Sequence, residues 1–85
     1  MTGTISIRVL FFARLAEAAG SRDLALSIKA SATVGDALDL LAQRYPALGE
    51  LGPALAVALN ESYARRADAL SDGDVLALIP PVSGG

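Results

Sequence analysis

Polar and apolar residues alternate from Thr4 to Phe12. Ile5, Ile7, Val9 and Phe11 fall on one side, and Ser6, Arg8, Leu10 and Phe12 on the other. A period of two carried by β-branched residues predicts a strand with one buried face. The second face starts polar and turns apolar at Leu10 and Phe12. Ala13–Ala19 is built from good helix formers and is followed by Gly20, which predicts a short helix ending there. Leu24, Leu26 and Ile28 alternate again and predict a second strand. At Val34 the period changes. Val34, Ala37, Leu38, Leu41, Ala42 and Tyr45 form one apolar stripe at helical spacing. Thr33 stands at the N-cap, with Asp36 three residues on in a capping-box position. Pro46 ends this helix.

The stretch Ala47–Pro53 holds two glycines and a proline and reads as a loop with one helical turn at most. Ala54–Asn60 predicts a third strand, with Leu55, Val57 and Leu59 on one face and small residues (Ala54, Ala56, Ala58) on the other. Asn60-Glu61-Ser62 is a turn, Tyr63–Ala69 a minor strand, and Asp72-Gly73-Asp74 a tight turn with glycine at positive φ. Val75–Ile79 is a continuous apolar run suited to a central strand. If the first and last strands pair in parallel, the chain between them is the crossover. The predicted fold is α+β: a β-grasp, or ubiquitin-like, layout with a mixed sheet of four to five strands and one long helix on one face. Residues 1–79 form this domain and residues 80–85 a tail.

Composition narrows the function. At 85 residues the chain is one small domain, and 53% hydrophobic against 19% charged residues excludes disorder. A net charge of −2 argues against nucleic acid as a partner. No apolar run reaches the ~20 residues a membrane helix needs, so no membrane is expected. The opening Met1–Thr4 has no basic-then-apolar pattern, so no signal peptide and a cytoplasmic location are expected. Cysteine is absent and histidine counts zero. That removes disulfides, thiolate and imidazole metal sites, cysteine nucleophiles and histidine bases. Chemistry must then come from backbone, carboxylate, hydroxyl or a chain terminus, or belong to a partner.

The tail supplies a candidate. After Ile79 come Pro80-Pro81-Val82-Ser83-Gly84-Gly85. Two prolines stop a strand ladder and impose an extended course. The six residues reach at most ~20 Å. Two glycines without Cβ atoms can enter a narrow channel and take whatever φ/ψ a partner imposes. At about 7% glycine usage, two terminal glycines arise by chance in roughly 0.5% of chains. A terminal carboxylate is inert as such, but as an acyl-adenylate it is an electrophile for sulfur or nitrogen.

Val9-Leu10-Phe11-Phe12-Ala13-Arg14-Leu15-Ala16-Glu17 resembles the opening of the molybdopterin synthase small subunit, the MoaD-type sulfur carrier of the MoaD/ThiS family. Ala58-Leu59-Asn60-Glu61 and Leu70–Val75 are similar to that family's third-strand end and penultimate turn, and Pro80–Gly85 to its tail. The resemblance spans essentially the whole chain. It implies that the Gly85 carboxylate is adenylated by an E1-like activating enzyme that uses ATP, then converted by a sulfur donor to a thiocarboxylate. No cofactor is implied as permanently bound, and no metal. The tail, Pro80, Pro81, Val82, Ser83 and Gly84, would thread into the large subunit of molybdopterin synthase. Sulfur would pass there to cyclic pyranopterin monophosphate, in a heterotetramer with two copies of each subunit. Family positions matching Phe12, Tyr63 and Ile79 imply contacts with the large subunit and the activating enzyme, and Arg14 either faces an acidic residue of that enzyme or is a solvated helix charge. The chain would be a sulfur donor without a self-contained active site.

Alternatives accompany these expectations. Leu10 and Phe12 are either core beneath the short helix or partner surface. Arg65-Arg66 reads as a solvated turn, Asp36 and Asp39 as helix-end charges, and Asp72 and Asp74 as turn residues. The same fold and Gly-Gly end serve carriers for thiamine, cysteine or transfer-RNA thiolation, and ubiquitin-like modifiers that form isopeptide bonds. A plain β-grasp adaptor with an idle tail is the non-chemical alternative.

Overall fold

The computed structural model describes residues 3–81. Five strands, β1 (Thr4–Phe11), β2 (Asp23–Lys29), β3 (Ala56–Leu59), β4 (Ser62–Tyr63) and β5 (Val75–Ile79), form one sheet in the order β2-β1-β5-β3-β4. β1 pairs antiparallel with β2 and in parallel with β5, which pairs antiparallel with β3. Three helices connect them: α1 (Arg14–Ala19), α2 (Val34–Arg44) and α3 (Pro46–Leu51), the last followed by a 3-10 turn at Gly52–Ala54.

The alternating pattern of β1 sends Ile7, Val9 and Phe11 inward. They meet Leu76 and Leu78 of β5, aligned as Val9↔Leu76 and Phe11↔Leu78. Val34, Ala37 and Leu41 of α2 close this layer from one side, together with Leu15 of α1 and Leu48 of α3. The Phe11 and Tyr45 rings meet edge to face, with centroids 5.6 Å apart. β5 is central, as its apolar run predicts, but only its inner residues are fully buried; Val75, Ala77 and Ile79 are half-buried on the other face.

The N-terminus of α2 leaves helical N–H groups that the helix itself cannot satisfy. The Thr33 hydroxyl accepts from the Asp36 N–H at 3.3 Å, and the Asp36 carboxylate accepts from the Thr33 N–H at 2.9 Å, completing the predicted capping box. This backbone hydrogen bond is the main reason the Asp36 carboxyl lies below its ordinary pKa of 3.8. The Val34 and Gly35 N–H groups donate to the carbonyls of Asp68 and Arg66, at 2.8 and 2.9 Å. A Cβ at Gly35 would stand 3.2 Å from Arg66 atoms, so the close approach of this loop selects glycine.

Two segments differ from expectation. Pro46–Leu51 is a helix and not a loop with a single turn. Proline fits the first helical position, and burial of Leu48 outweighs the exposed Gly49. The one long helix expected, α2, is thus followed by an unexpected short one, α3, packed on it. In the region read as a minor strand over Tyr63–Ala69, ladder pairing stops at Tyr63: after one more bond, from the Ala64 N–H to Val57 of β3, the chain turns at Arg65–Asp68 and gives the Arg66 and Asp68 carbonyls to the start of α2. Arg66 is likewise no free turn charge: its guanidinium lies 2.8 Å from Asp39 of α2.

Candidate functional site

The outer face of the sheet carries the residues that alternate with the core. Phe12 directly follows β1, and its N–H reaches the Leu78 carbonyl at 3.2 Å. It is 46% exposed. Leu10 is half-buried on the same face, opposite Ala77. The core reading of Phe12 is therefore set aside by its position: strand parity turns it away from the helices. Across the sheet run Leu10↔Ala77, Ala77↔Ala58 and Ala58↔Tyr63. Two alanines in the middle of that row leave a trough between the larger side chains at its ends. The resulting hollow, of about 610 Å³, is lined by Leu10, Phe12, Ala58, Tyr63, Ala77 and Ile79, with Val75, Asn60 and Glu61 closing one end. Ala58 is buried yet lies outside the core cluster, because it forms the floor of this opposite face.

Local bonding fixes the hollow's walls. Asn60 and Glu61 take positive φ, 51° and 72°, in the two-residue turn between β3 and β4. The Asn60 side chain donates to Asp74 at 3.0 Å and accepts from the Val75 N–H at 2.9 Å, tying this hairpin to the start of β5. Gly73, at φ 86°, makes the tight turn that precedes β5. Asp72 and Asp74 accept from the backbone N–H groups of Ser6 and Ser71, each at 2.8 Å, which makes them turn residues as expected. So held, β4 presents Tyr63 85% exposed.

At the opposite end Ile79 is the last residue of β5 and lines the hollow beside Phe12. Pro80 and Pro81 follow, half-buried. The tail's root is thus continuous with the apolar face. Val82, Ser83, Gly84 and Gly85, where the candidate chemistry sits, lie outside the described residues. Arg14 is exposed in the first turn of α1, two residues past Phe12. The structure therefore brings Phe12, Tyr63 and Ile79 to one surface, and Arg14 is not among the residues lining it. Sequence reasoning had left Leu10 open between core and partner surface, and missed Ala77 and Glu61; for Ala77 the signal was the alternation hidden in the run Val75–Ile79.

Among the described residues no group of three or more acidic, cysteine or histidine side chains is placed to hold a metal. No described helix is long and apolar enough to cross a membrane. What the described surface offers is a place to bind apolar groups.

The parallel β1–β5 pair, the helical crossover and the five-stranded order define a ubiquitin-like β-grasp domain. Residues 9–85 match the ThiS family, and the chain belongs to it. It is 39% identical over 84 residues to the molybdopterin synthase sulfur carrier subunit of Arabidopsis thaliana, covering 99% of this chain and 88% of that one. It is 48% identical over 82 residues to small archaeal modifier protein 1 of Haloferax volcanii, covering 87% and 94%. A crystal structure of that modifier superposes with a TM-score of 0.82 at 45% identity, over 94% of this chain and 99% of the other. The fold is also similar to a chain in the complex of subunits 1 and 2 of the molybdopterin-converting factor from Helicobacter pylori, at TM-score 0.64 and 28% identity, covering 95% and 100%.

Proposed function

We propose that this protein is the sulfur carrier of a molybdopterin synthase. The observation that carries the reading is the junction at Ile79: a proline-stiffened Gly-Gly end begins at the rim of an exposed apolar hollow. The body, residues 1–79, is the handle, and residues 80–85 deliver the reactive group. An E1-like enzyme joins the Gly85 carboxylate oxygen to the α-phosphorus of ATP and releases pyrophosphate. A sulfur donor then displaces AMP, leaving a terminal thiocarboxylate. The large subunit receives the tail and moves the sulfur to cyclic pyranopterin monophosphate. Each carrier brings one sulfur and a dithiolene needs two, which suits a heterotetramer with two carriers. These steps belong in the cytoplasm, where ATP is available. Support comes from the name of the plant relative and from the two-subunit assembly of the bacterial one. The zero cysteine count fits a carrier whose sulfur rides on a carboxylate.

The expected test result is that a variant lacking Gly85, or extended beyond it, folds normally and supports no dithiolene synthesis in a reconstituted synthase. Dithiolene formation by such a variant would refute the reading.

A second reading has its own observation, the 48% identity to an archaeal modifier protein. The same acyl-adenylate would then meet a lysine amine and form an isopeptide bond. High-mass conjugates on denaturing gels, present with ATP and activating enzyme and absent without Gly85, would establish it.

A further inference from the structure

Among the described residues three non-glycine residues hold positive φ: Ala13 at 52°, Asn60 at 51° and Glu61 at 72°. Asn60 and Glu61 line the outer-face hollow, while Ala13 lines the depression that adjoins it at Leu10 and Phe12, as Gly20 does. The described glycines at positive φ, Gly20, Gly52 and Gly73, line neither wall of the hollow. The positive-φ positions in the lining of the hollow itself are thus held by Asn60 and Glu61, not by glycine.

Asn60 is explained by its two hydrogen bonds and by the tolerance of asparagine for this region. Glu61 is not. The second residue of such a turn favours glycine, since both central residues need φ > 0. The Glu61 carboxylate forms no hydrogen bond or ion pair with the described residues. It is also the one charged residue among those lining the hollow. Arg8, on the neighbouring part of the face, is matched by Asp23 at 3.5 Å. The hollow is therefore apolar along its length, with Ile79 at the root of the tail at one end and one unmatched negative charge at the other.

We propose that Glu61 is a specificity residue of the docking face: it reads a lysine or arginine that a protein partner sets at the end of the hollow far from the tail, while an apolar side chain of that partner fills the hollow. Charge at a rim of this kind steers encounter and fixes orientation more than it adds affinity. A cation at this end orients the partner along the hollow toward the tail root. The inference rests on the carrier reading in taking the synthase large subunit as that partner.

The test is the binding of the full chain to the large subunit, measured as association rate at low and high salt. Glu61→Gln keeps the shape and removes the charge. Glu61→Gly removes the side chain and relaxes the turn. Both are expected to bind about three- to fivefold more weakly, mainly through slower association, and to lose most of the salt dependence. Both should melt no lower than the wild type, which separates a lost contact from a damaged fold. If the wild type binds and both variants match its rates and salt dependence, the assignment of Glu61 is overturned while the carrier reading stands. If the wild type itself does not bind the large subunit, both fall.

Discussion

The two faces of the sheet are made from the same strands and alternate residue by residue, yet they have opposite tasks. Inward go Ile7, Val9, Phe11, Leu76 and Leu78, each at most 2% exposed and covered by helices. Outward, after the polar Ser6 and Arg8, go Leu10, Phe12, Val75, Ala77 and Ile79, apolar too but only half-buried or exposed. Burial on the inner face stabilises the domain. The outer face keeps apolar area in water, which is unusual for a lone small protein unless another surface covers it. A one-residue shift in hydropathy along β1 and β5 separates what holds the fold from what awaits a partner.

The comparison is tested most severely on the inner face. Leu76→Ala should cost about 2–5 kcal/mol by opening a cavity, enough to lower the melting temperature by more than about 8 °C in a domain of this size. Denaturant melts would show it, and a change below about 1 kcal/mol would mean the inner face is not the core. Next is the mirror experiment. Phe12→Asp should change stability by no more than about 0.5 kcal/mol, as exposed substitutions do. It should weaken large-subunit binding at least about thirtyfold, as loss of an aromatic anchor does. Calorimetry of folding and of binding separates the two, and unfolding without selective loss of binding would erase the distinction between the faces.

A smaller effect concerns the cap that seats α2 against the inner face. Thr33→Ala should cost about 1 kcal/mol by leaving the Asp36 N–H without its acceptor. The Asp36 carboxyl is lowered in the folded protein, chiefly by the Thr33 backbone N–H. Its contribution is therefore fully present above the ordinary value of 3.8 and is lost as pH falls through the lower folded value. Asp36→Asn should flatten that part of the acid stability profile; an unchanged profile would show that the cap charge does not matter. Smallest is Arg8→Ala, which removes an exposed 3.5 Å pair with Asp23 and should shift stability by less than about 0.5 kcal/mol.

The inner face and α2 were legible because their signals are local: alternation in β1, the stripe from Val34, and the cap at Thr33 and Asp36. Pro46–Leu51 was not, because Gly49 and Pro46 signal a break and only the tertiary burial of Leu48 makes the segment helical. Nor was the fate of Ala64–Ala69, where the Arg66 and Asp68 carbonyls find their partners some thirty residues away at the start of α2. For the site, strand parity left Phe12 open between core and partner surface, and Tyr63 was named only through the family resemblance. That Ala58 and Ala77 align into one floor depends on strand order, which no single segment specifies. The strain at Glu61 was hidden for a similar reason, since an Asn-Glu pair does not announce a turn with φ positive at both residues.

The central claim is that the terminal carboxylate is the reactive group and the folded body its handle. Intact-mass analysis of the chain after incubation with ATP, an activating enzyme and a sulfur donor addresses it directly. A mass gain equal to exchange of one oxygen for one sulfur, located in the peptide ending at Gly85 and lost when Gly85 is removed, is the predicted result. An unchanged mass under conditions in which a known carrier is converted would contradict the account.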